Sequence, residues 1–373
     1  FRNLVNTSAT YDVLDGLSIT GEYGFDLLTQ LEQRYQNSLT QTGASVGGYG
    51  QDRWVRIFNY TSRVYANYSK IFDVHSIDFT LGTEFQKSTR DQTFTAGQTF
   101  PLDELKTLSS AAEVADWSGT LNEYSFLSYF GRLNYKLQDK YLLGLSGRID
   151  ASSRFGENNR YGFFPAASVG WIISNEGFLG SSDVLSFLKL RASYGLTGNA
   201  GIGNYDHFGT YVAAGYNGQS ALIPSQIPNP DLEWEKTAQM DIGVDFGLFG
   251  DRLSGELDYY KKSTTDLLLN VPVLGTSGFS TQTQNIGELE NSGIEVVLNY
   301  DLIKGSAFSW STSLNYAANQ NKVTKLYGDT EQIGPTSSRY MNAIIVGEAI
   351  GVHYGVEFAG ANPDNGDAIF FLN

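Results

Sequence analysis

The feature that most constrains the fold is a two-residue alternation of apolar and polar side chains along most of the 373 residues. On the first run, apolar residues or glycine occupy most second positions from Tyr11 to Leu27, with mainly polar or small residues between them. A period of two is typical of a β-strand with one apolar and one polar face. The same pattern recurs at 53–69, 76–85, 141–150, 237–246, 294–301 and 308–316. An all-β fold is therefore predicted.

The length of the runs separates a membrane sheet from an ordinary soluble one. The runs reach 11–20 residues, whereas globular strands average about 5–6 residues and a tilted membrane strand needs about 9–11. Their polar faces carry charges that a dry core cannot accept unpaired. Aromatic residues gather near run ends, as at membrane interfaces: Tyr11, Tyr135, Tyr141, Tyr161, Trp234, Tyr259 and Tyr300. The pattern predicts a transmembrane antiparallel β-barrel with a polar lumen.

The connections between runs point the same way. The alternation slips within short connections at 73–74, 138–139, 250–251 and 304–305. Long connections rich in Gly, Ser, Asn and Pro are predicted at 28–52, 89–121, 153–160, 198–233, 271–290 and 324–351. If 175–186 is counted as short, long and short connections alternate, as they do in outer-membrane barrels. The pattern gives about eleven membrane crossings, whereas such barrels usually have an even number of strands. An incomplete segment of a larger barrel is therefore expected.

Composition excludes several classes of function. Without cysteine, the chain can form no disulfide, thiolate nucleophile or Cys-ligated zinc site. With 25 Lys and Arg against 40 Asp and Glu, its net charge of −15 excludes a basic surface for nucleic acid. No run of about 18 apolar residues marks a membrane helix.

No catalytic, cofactor-binding or metal site is predicted. Residues 43–47 match the serine-hydrolase pattern Gly-x-Ser-x-Gly, but no helix pattern follows, so a loop is expected. The glycines of 195–203 lack the Gly-Lys end of a phosphate loop and are expected to let an outer loop turn sharply. The acid pairs at 233/235 and 241/245 are interpreted as a solvated wall, not glycosidase carboxylates. The histidines lie far apart in sequence: His75, His207 and His353.

The loops carry three further expectations. Leucines at near-helical spacing after Pro101 predict a short helix: Leu102, Leu105 and Leu108, followed by Ala112. The acidic turn at 362–367 is expected to be an Asx-rich hairpin turn, with calcium binding left as an alternative. Four loop aromatics are candidate substrate contacts, because aromatic faces stack on sugars and peptides, although loop self-packing is the alternative: Tyr205, Phe208, Tyr211 and Tyr216.

Six stretches of sequence, in the order in which they follow one another along the chain, resemble SusC/RagA-type TonB-dependent transporters of Bacteroidetes outer membranes. They are 141–162 (YLLGLSGRIDASSRFGENNRYG), 163–171, 188–205, 229–245, 285–300 and 352–367. The resemblance implies a barrel of about 22 strands, a plug, a TonB box and a SusD-like surface lipoprotein over the outer mouth. Residues 1–373 would then be a partial barrel domain without plug, TonB box or final strands. The stretch 352–367 is expected to form a loop hairpin.

Three functional hypotheses remain. The first is a non-enzymatic, cofactor-free segment of an active importer in the bacterial outer membrane; its partners would be a SusD-like lipoprotein, TonB, outer-membrane lipid and an oligosaccharide or peptide substrate. The alternative is a passive porin or a small autonomous outer-membrane barrel. The third is a soluble β-sandwich or propeller that binds carbohydrate. The membrane hypotheses require an exposed apolar face on one side of the strands and charged groups on the other.

Overall fold

The computed structural model describes residues 1–179, 182, 184–334, 341–355 and 357–371. Its main element is an antiparallel sheet of twelve long strands whose order follows the chain, which confirms the all-β prediction. The strands are β1 (Arg2–Leu14), β2 (Leu17–Gln36), β3 (Tyr49–Phe72), β4 (His75–Gln98), β5 (Glu113–Leu137), β6 (Tyr141–Ser152), β7 (Tyr161–Ile172), β8 (Leu185–Asn199), β11 (Glu235–Leu248), β12 (Leu253–Thr265), β15 (Glu288–Lys304) and β16 (Ser309–Lys325). Within the described ranges, no helix is long and apolar enough to cross a membrane.

Shorter elements lie in the connections. The short strands are β9 (Tyr211–Tyr216), β10 (Gln219–Pro224), β13 (Leu268–Pro272), β14 (Thr281–Asn285), β17 (Gln332–Ile333), β18 (Asn342–Ile345), β19 (Val352–His353), β20 (Phe358–Ala361) and β21 (Ala368–Phe370). Single 3₁₀ turns occur at Ala44–Val46, Leu108–Ser110, Glu157–Asn159, Ile173–Asn175 and Gly275–Ser277. β20 pairs with β21 in a hairpin, as expected for this part of the chain, but the hairpin spans Phe358–Phe370, so only its first strand and its turn lie within the expected 352–367.

The short connections are tight turns where the alternation predicts them. Asp73, Gln138, Asp139 and Asp251 adopt positive φ angles of 52–59°. This left-handed conformation suits a tight turn and is tolerated by Asp, whose short side chain can bond locally. Short and long connections also alternate as predicted along the twelve strands, except that the connection 173–184 between β7 and β8, counted as short, is longer than 153–160.

The first predicted strand is wrong in one respect, because 11–27 holds the ends of two strands. Gly16, at φ 78°, turns the chain between β1 and β2. A bulge between Asp12 and Leu14 pairs Tyr11 with Ile19, so that both lie on the same face of the sheet. The bulge therefore preserves the alternation across the turn, and the strand count is twelve instead of about eleven.

Two long connections are much shorter than predicted. The segment predicted as 28–52 is a connection only at 37–48, and 89–121 only at 99–112, whereas 153–160 is as predicted. β3, β4 and β5 run for 24, 24 and 25 residues. Their outer ends are mainly polar on both faces, with only scattered apolar residues such as Trp117, so the alternation breaks down while the strands continue. Polarity alone consequently predicts strands that are too short at their outer ends.

The chain divides into two compact units. The first comprises Phe1–Asn134, Ser146–Phe163 and Ile202–Asp206, and in it β1–β4 pair in succession. The second comprises Tyr135–Leu145, Phe164–Gly201 and His207–Asn373. In the second unit β8 pairs with β7 and β11, followed by β12, β15 and β16 in chain order.

Several of the most deeply buried apolar residues lie in the connections. Phe155 and Leu232 are fully buried, and Trp234 is only 5% exposed. The interfacial role predicted for Trp234 is therefore wrong: its ring meets Phe164 edge-on, with centroids 5.3 Å apart. Other tyrosines predicted at run ends are exposed: Tyr11, Tyr141, Tyr161, Tyr259 and Tyr300.

Two loop expectations are also wrong. The predicted helix after Pro101 is a single 3₁₀ turn at Leu108–Ser110, and Leu102 and Leu105 are exposed. Gly195 and Gly198 lie within β8 instead of a turn. A Cβ at Gly198 would come 2.1 Å from the ring of Phe164, so this glycine makes room for an aromatic ring lying across the strand.

Candidate functional site

The sheet has an apolar face that remains exposed. Ile242 and Leu314 are 50% and 57% exposed, as the membrane hypotheses require. On β2, β3 and β4 this face carries a chain of neighbouring aromatic rings with centroids 5.8–6.5 Å apart: Tyr23, Phe25, Phe58, Tyr60 and Phe85. We call this side of the strands the apolar face. Aromatic bands of this kind are typical of the membrane interfaces of outer-membrane barrels.

The opposite side, which we call the polar face, carries networks of ion pairs. In the first unit, Arg63 of β3 lies in register between Glu22 of β2 and Glu84 of β4. Its guanidinium donates to both carboxylates, at 3.3 Å to Glu22 and 2.7 Å to Glu84. Arg148 donates to Glu84 at 3.1 Å and to Asp150 at 2.7 Å. Charges of alternating sign thus follow one another across the polar face.

A second network lies on the polar face of the second unit. Asp245 accepts hydrogen bonds from Lys189 at 3.0 Å and from Arg191 at 2.8 Å. Arg191 also reaches Asp258, two strands away, at 2.7 Å. Gly243 lies in register between Arg191 and Asp258, and a Cβ there would come 2.3 Å from Asp258 Oδ1. Glycine is therefore required for the guanidinium to cross this strand.

A carboxylate ties together two long connections of the first unit. Asp103 accepts hydrogen bonds from the backbone N–H of Ser38 at 2.8 Å, the Ser38 hydroxyl at 2.7 Å and the Tyr35 hydroxyl at 2.8 Å. The backbone N–H and hydroxyl of Ser38 hold the pKa of Asp103 below its usual range. The connection 99–112 is thereby fixed against 37–48.

We expect Asp103→Ala to release the connection 99–112. Trypsin should then cleave after Lys106 faster by roughly three- to tenfold, because cleavage follows the population of the open loop when reclosing is fast. The control is Glu104→Ala, which removes the neighbouring exposed carboxylate. Equal cleavage rates in the two variants would show that Asp103 does not hold the loop.

A second carboxylate fixes two aromatic rings where β6 and β7 approach the short connections. Glu176 accepts hydrogen bonds from the Tyr141 hydroxyl at 2.7 Å, Lys140 Nζ at 3.0 Å and Trp171 Nε1 at 3.1 Å. The two rings stack with centroids 6.5 Å apart and an interplanar angle of 18°. The bonds from Tyr141, Lys140 and Trp171, in that order, lower the pKa of Glu176 to about 2. We call Glu176, Tyr141 and Trp171 the aromatic clamp.

We expect the hydrogen bonds of the aromatic clamp to persist in mild acid. The pKa of Glu176 is depressed on folding, so its contribution to stability is present above the ordinary glutamate pKa of about 4.3. It is lost only as pH falls towards about 2. In a variant that retains Trp171 alone, its fluorescence should stay constant from pH 6 to about 4 and change near pH 2.

Glu176→Gln in the same background is the control, because an amide does not titrate in this range. Its Trp171 fluorescence should not depend on pH. A midpoint near pH 4 with Glu176 present would contradict the depressed pKa.

The four candidate substrate contacts differ in their surroundings. The first unit contains Tyr205, whose hydroxyl accepts a hydrogen bond from the Glu123 backbone N–H at 3.0 Å. The second unit contains the other three, and Phe208 lies against His207 with ring centroids 3.8 Å apart. At opposite ends of β9, Tyr211 and Tyr216 are 64% and 78% exposed. These two have the most free ring surface.

Other groups singled out from the sequence are bound within the fold. Ser45 lies in the 3₁₀ turn Ala44–Val46, with no α-helix behind it in the described residues. Asp241 accepts from Gln239 at 2.9 Å, and Glu235 from Asn199 at 3.2 Å, in keeping with a polar wall. Among the described residues, no group of three metal-ligating side chains comes together. The turn at 362–367 is closed by Asx hydrogen bonds within itself.

The sequence does not single out Glu84, Glu176 or Asp103. Glu84 is an ordinary polar-face residue in the alternation, and only the strand register shows that Arg63 stands opposite it. The other two lie in connections, and all but one of their side-chain partners are 35 to 68 positions away, the exception being Trp171, five positions before Glu176. Spacing within the sequence carries no signal for such contacts.

With both faces established, comparison with known proteins becomes informative. The sequence profile of the family described as "TonB dependent receptor-like, beta-barrel" matches residues 2–362. The chain belongs to this family. The resemblance noted from the sequence is thereby confirmed, as is the barrel fold. TonB-dependent receptor barrels are outer-membrane proteins, and the family is one of receptors and transporters, not of enzymes.

Named relatives support this assignment. TonB-dependent receptor P3 of Formosa agariphila is 35% identical over 366 residues, which cover 95% of this chain and 37% of the relative. TonB-dependent receptor SusC of Bacteroides thetaiotaomicron is 35% identical over 335 residues, covering 87% of this chain and 32% of SusC. The chain thus spans about a third of the length of these relatives.

Solved structures share the architecture. A chain of the RagAB peptide transporter matches with a TM-score of 0.91 and 29% identity, over 99% of this chain and 41% of that one. The coverage agrees with the expected segment of a larger barrel. The ferric citrate transporter FecA matches with a TM-score of 0.56 at 9% identity, over 88% of this chain and 43% of FecA, which shows the shared fold alone.

Proposed function

We propose that the chain forms part of the barrel wall of an active importer for oligosaccharides or peptides in the outer membrane. One observation carries the proposal: the same strands present an exposed apolar face and a polar face of paired charges. The apolar face suits lipid and the polar face suits a hydrated passage. Glu256 also lies 3.8 Å from Arg191 in the second network. With it, each ion-pair network contains one more acid than base, which keeps the wall hydrated and slightly acidic.

The proposal includes partners that act on the whole transporter. A plug and a TonB-contacting segment outside residues 1–373 would gate the passage, with TonB supplying the energy. A SusD-like lipoprotein would cover the long connections. Membership of the TonB-dependent family and the similarity to SusC support this part of the proposal.

Substrate would first meet the long connections. The RagAB structure described above is named a peptide transporter, and the SusC relative is named a TonB-dependent receptor. We retain Tyr205, Phe208, Tyr211 and Tyr216 as proposed contacts. The free rings of Tyr211 and Tyr216 can stack on a sugar ring or a peptide side chain.

Uptake by cells tests the proposal. Cells that make the complete protein should accumulate fluorescent oligosaccharides or peptides, and deletion of its gene should abolish accumulation. Removal of TonB should abolish it equally. Accumulation that persists without TonB would contradict active import and favour the passive porin.

A further inference from the structure

A groove opens on the apolar face of the second unit. Its volume is about 770 Å³, and apolar side chains of β6, β7, β8 and β11 form most of its lining, together with Gly170, Arg191 and Gly243. Ala192 has the smallest of these side chains, and its cross-strand neighbours are Val169 and Ile242. The larger Trp171 and Leu190 stand opposite each other in the next outward-facing pair along β7 and β8. Ala192, with Gly170 and Gly243 beside it, is therefore small among large residues, and the depression lies there.

The aromatic clamp borders the same groove, because Tyr141 and Trp171 both line it. Their polar tips are held by Glu176, so the ring faces are fixed in place. One end of the groove consequently lies beside hydrogen-bonded polar groups, while Ile242 and Val244 extend it along the apolar face. An occupant should be apolar along its length and polar at one end.

We propose that this groove holds one acyl chain of a phospholipid from the periplasmic leaflet of the outer membrane. The groove is continuous with the exposed apolar face, which contacts lipid in this family. Its volume lies within the range of about 300–1,000 Å³ that is usual for small-molecule sites. The clamp lies beside the short connections, which face the periplasm in outer-membrane barrels. Phospholipid is the lipid of that leaflet.

The lining also argues against a polypeptide as the occupant. A peptide on the apolar face would need partners for its backbone N–H and C=O groups, because lipid offers none. The adjoining backbone of β8 is already paired on both sides, with β7 and β11. An acyl chain carries no such groups and needs only apolar contact. This inference concerns the outer wall and is independent of what passes through the lumen.

Photolabelling of the complete protein tests the site. The probe is phosphatidylethanolamine with a diazirine in one acyl chain, reconstituted with the protein in vesicles of unlabelled phospholipid. Label should concentrate on peptides containing Val169, Trp171 or Ala192, above other apolar-face peptides. Uniform labelling along the apolar face would overturn the proposal, since it would show only transient contact with bulk lipid.

A matched pair of variants adds a second measurement. Ala192→Leu fills the floor of the groove, whereas Ala66→Leu makes the same change on β3, where Ala66 pairs with Ile19 and Leu81. Native mass spectrometry should show one retained phospholipid in the unsubstituted protein and in Ala66→Leu, and its loss in Ala192→Leu. Retention in Ala192→Leu, or retention of lipid A, detergent or a polypeptide instead of phospholipid, would overturn the proposal.

Discussion

Val296→Lys is expected to destabilise the folded protein by about 2–4 kcal/mol, the cost of a lysine on the lipid face near the bilayer midplane. Val296 lies on the apolar face of β15, between Leu257 of β12 and Tyr316 of β16. Neither of these two neighbours carries a charge that could pair with an ammonium group at this depth. The free energy of unfolding, measured by urea titration in phospholipid vesicles, gives the effect directly.

The adjacent residue supplies a matched control. Val297 is also a valine, but it lies on the polar face, opposite Glu256 of β12 and Asn315 of β16. Val297→Lys places an ammonium group beside a carboxylate, and such a cross-strand pair contributes roughly 0.2–1 kcal/mol in favour of folding. Equal destabilisation by the two lysines would contradict the assignment of an apolar and a polar face.

Much of this sheet is predictable because lipid and water impose opposite demands on neighbouring residues. Ile294 lies on the apolar face and the next residue, Glu295, on the polar face, so the strand and its two faces can be predicted from the sequence. The turn at Gly16 could not be predicted in this way, because the bulge at Asp12 keeps Tyr11 and Ile19 on one face and the alternation continues through the turn. The outer strand ends could not be predicted either, since water on both faces removes the contrast between apolar and polar positions.

The networks on the polar face need more information than alternation contains. Arg63 and Glu84 are 21 positions apart and meet through the turn at Asp73 and the register of β3 with β4. Arg191 and Asp258 meet only because Gly243 leaves room between them. A register shift of one residue would exchange the faces. Pairing partners therefore follow from register, which the sequence specifies only jointly with turn geometry.

Glu84→Ala is expected to cost about 2–3 kcal/mol of folding free energy, because removing one partner of a buried ion pair leaves the other charge uncompensated. The Glu84 side chain is only 9% exposed, and it lies between the guanidinium groups of Arg63 and Arg148. Both arginines are about 40% exposed, which places the cost below that of a fully buried pair. Urea unfolding in vesicles measures it.

Two further variants separate the ion pair from simple loss of packing. Glu295→Ala removes an exposed glutamate from the polar face of β15 and should change the unfolding free energy by less than about 0.5 kcal/mol. In a double-mutant cycle, Arg63→Ala combined with Glu84→Ala should show a coupling energy of about 1–2 kcal/mol, since each single change strands the other charge. Coupling near zero would mean that solvent screens the pair and that the polar face is held by backbone pairing alone.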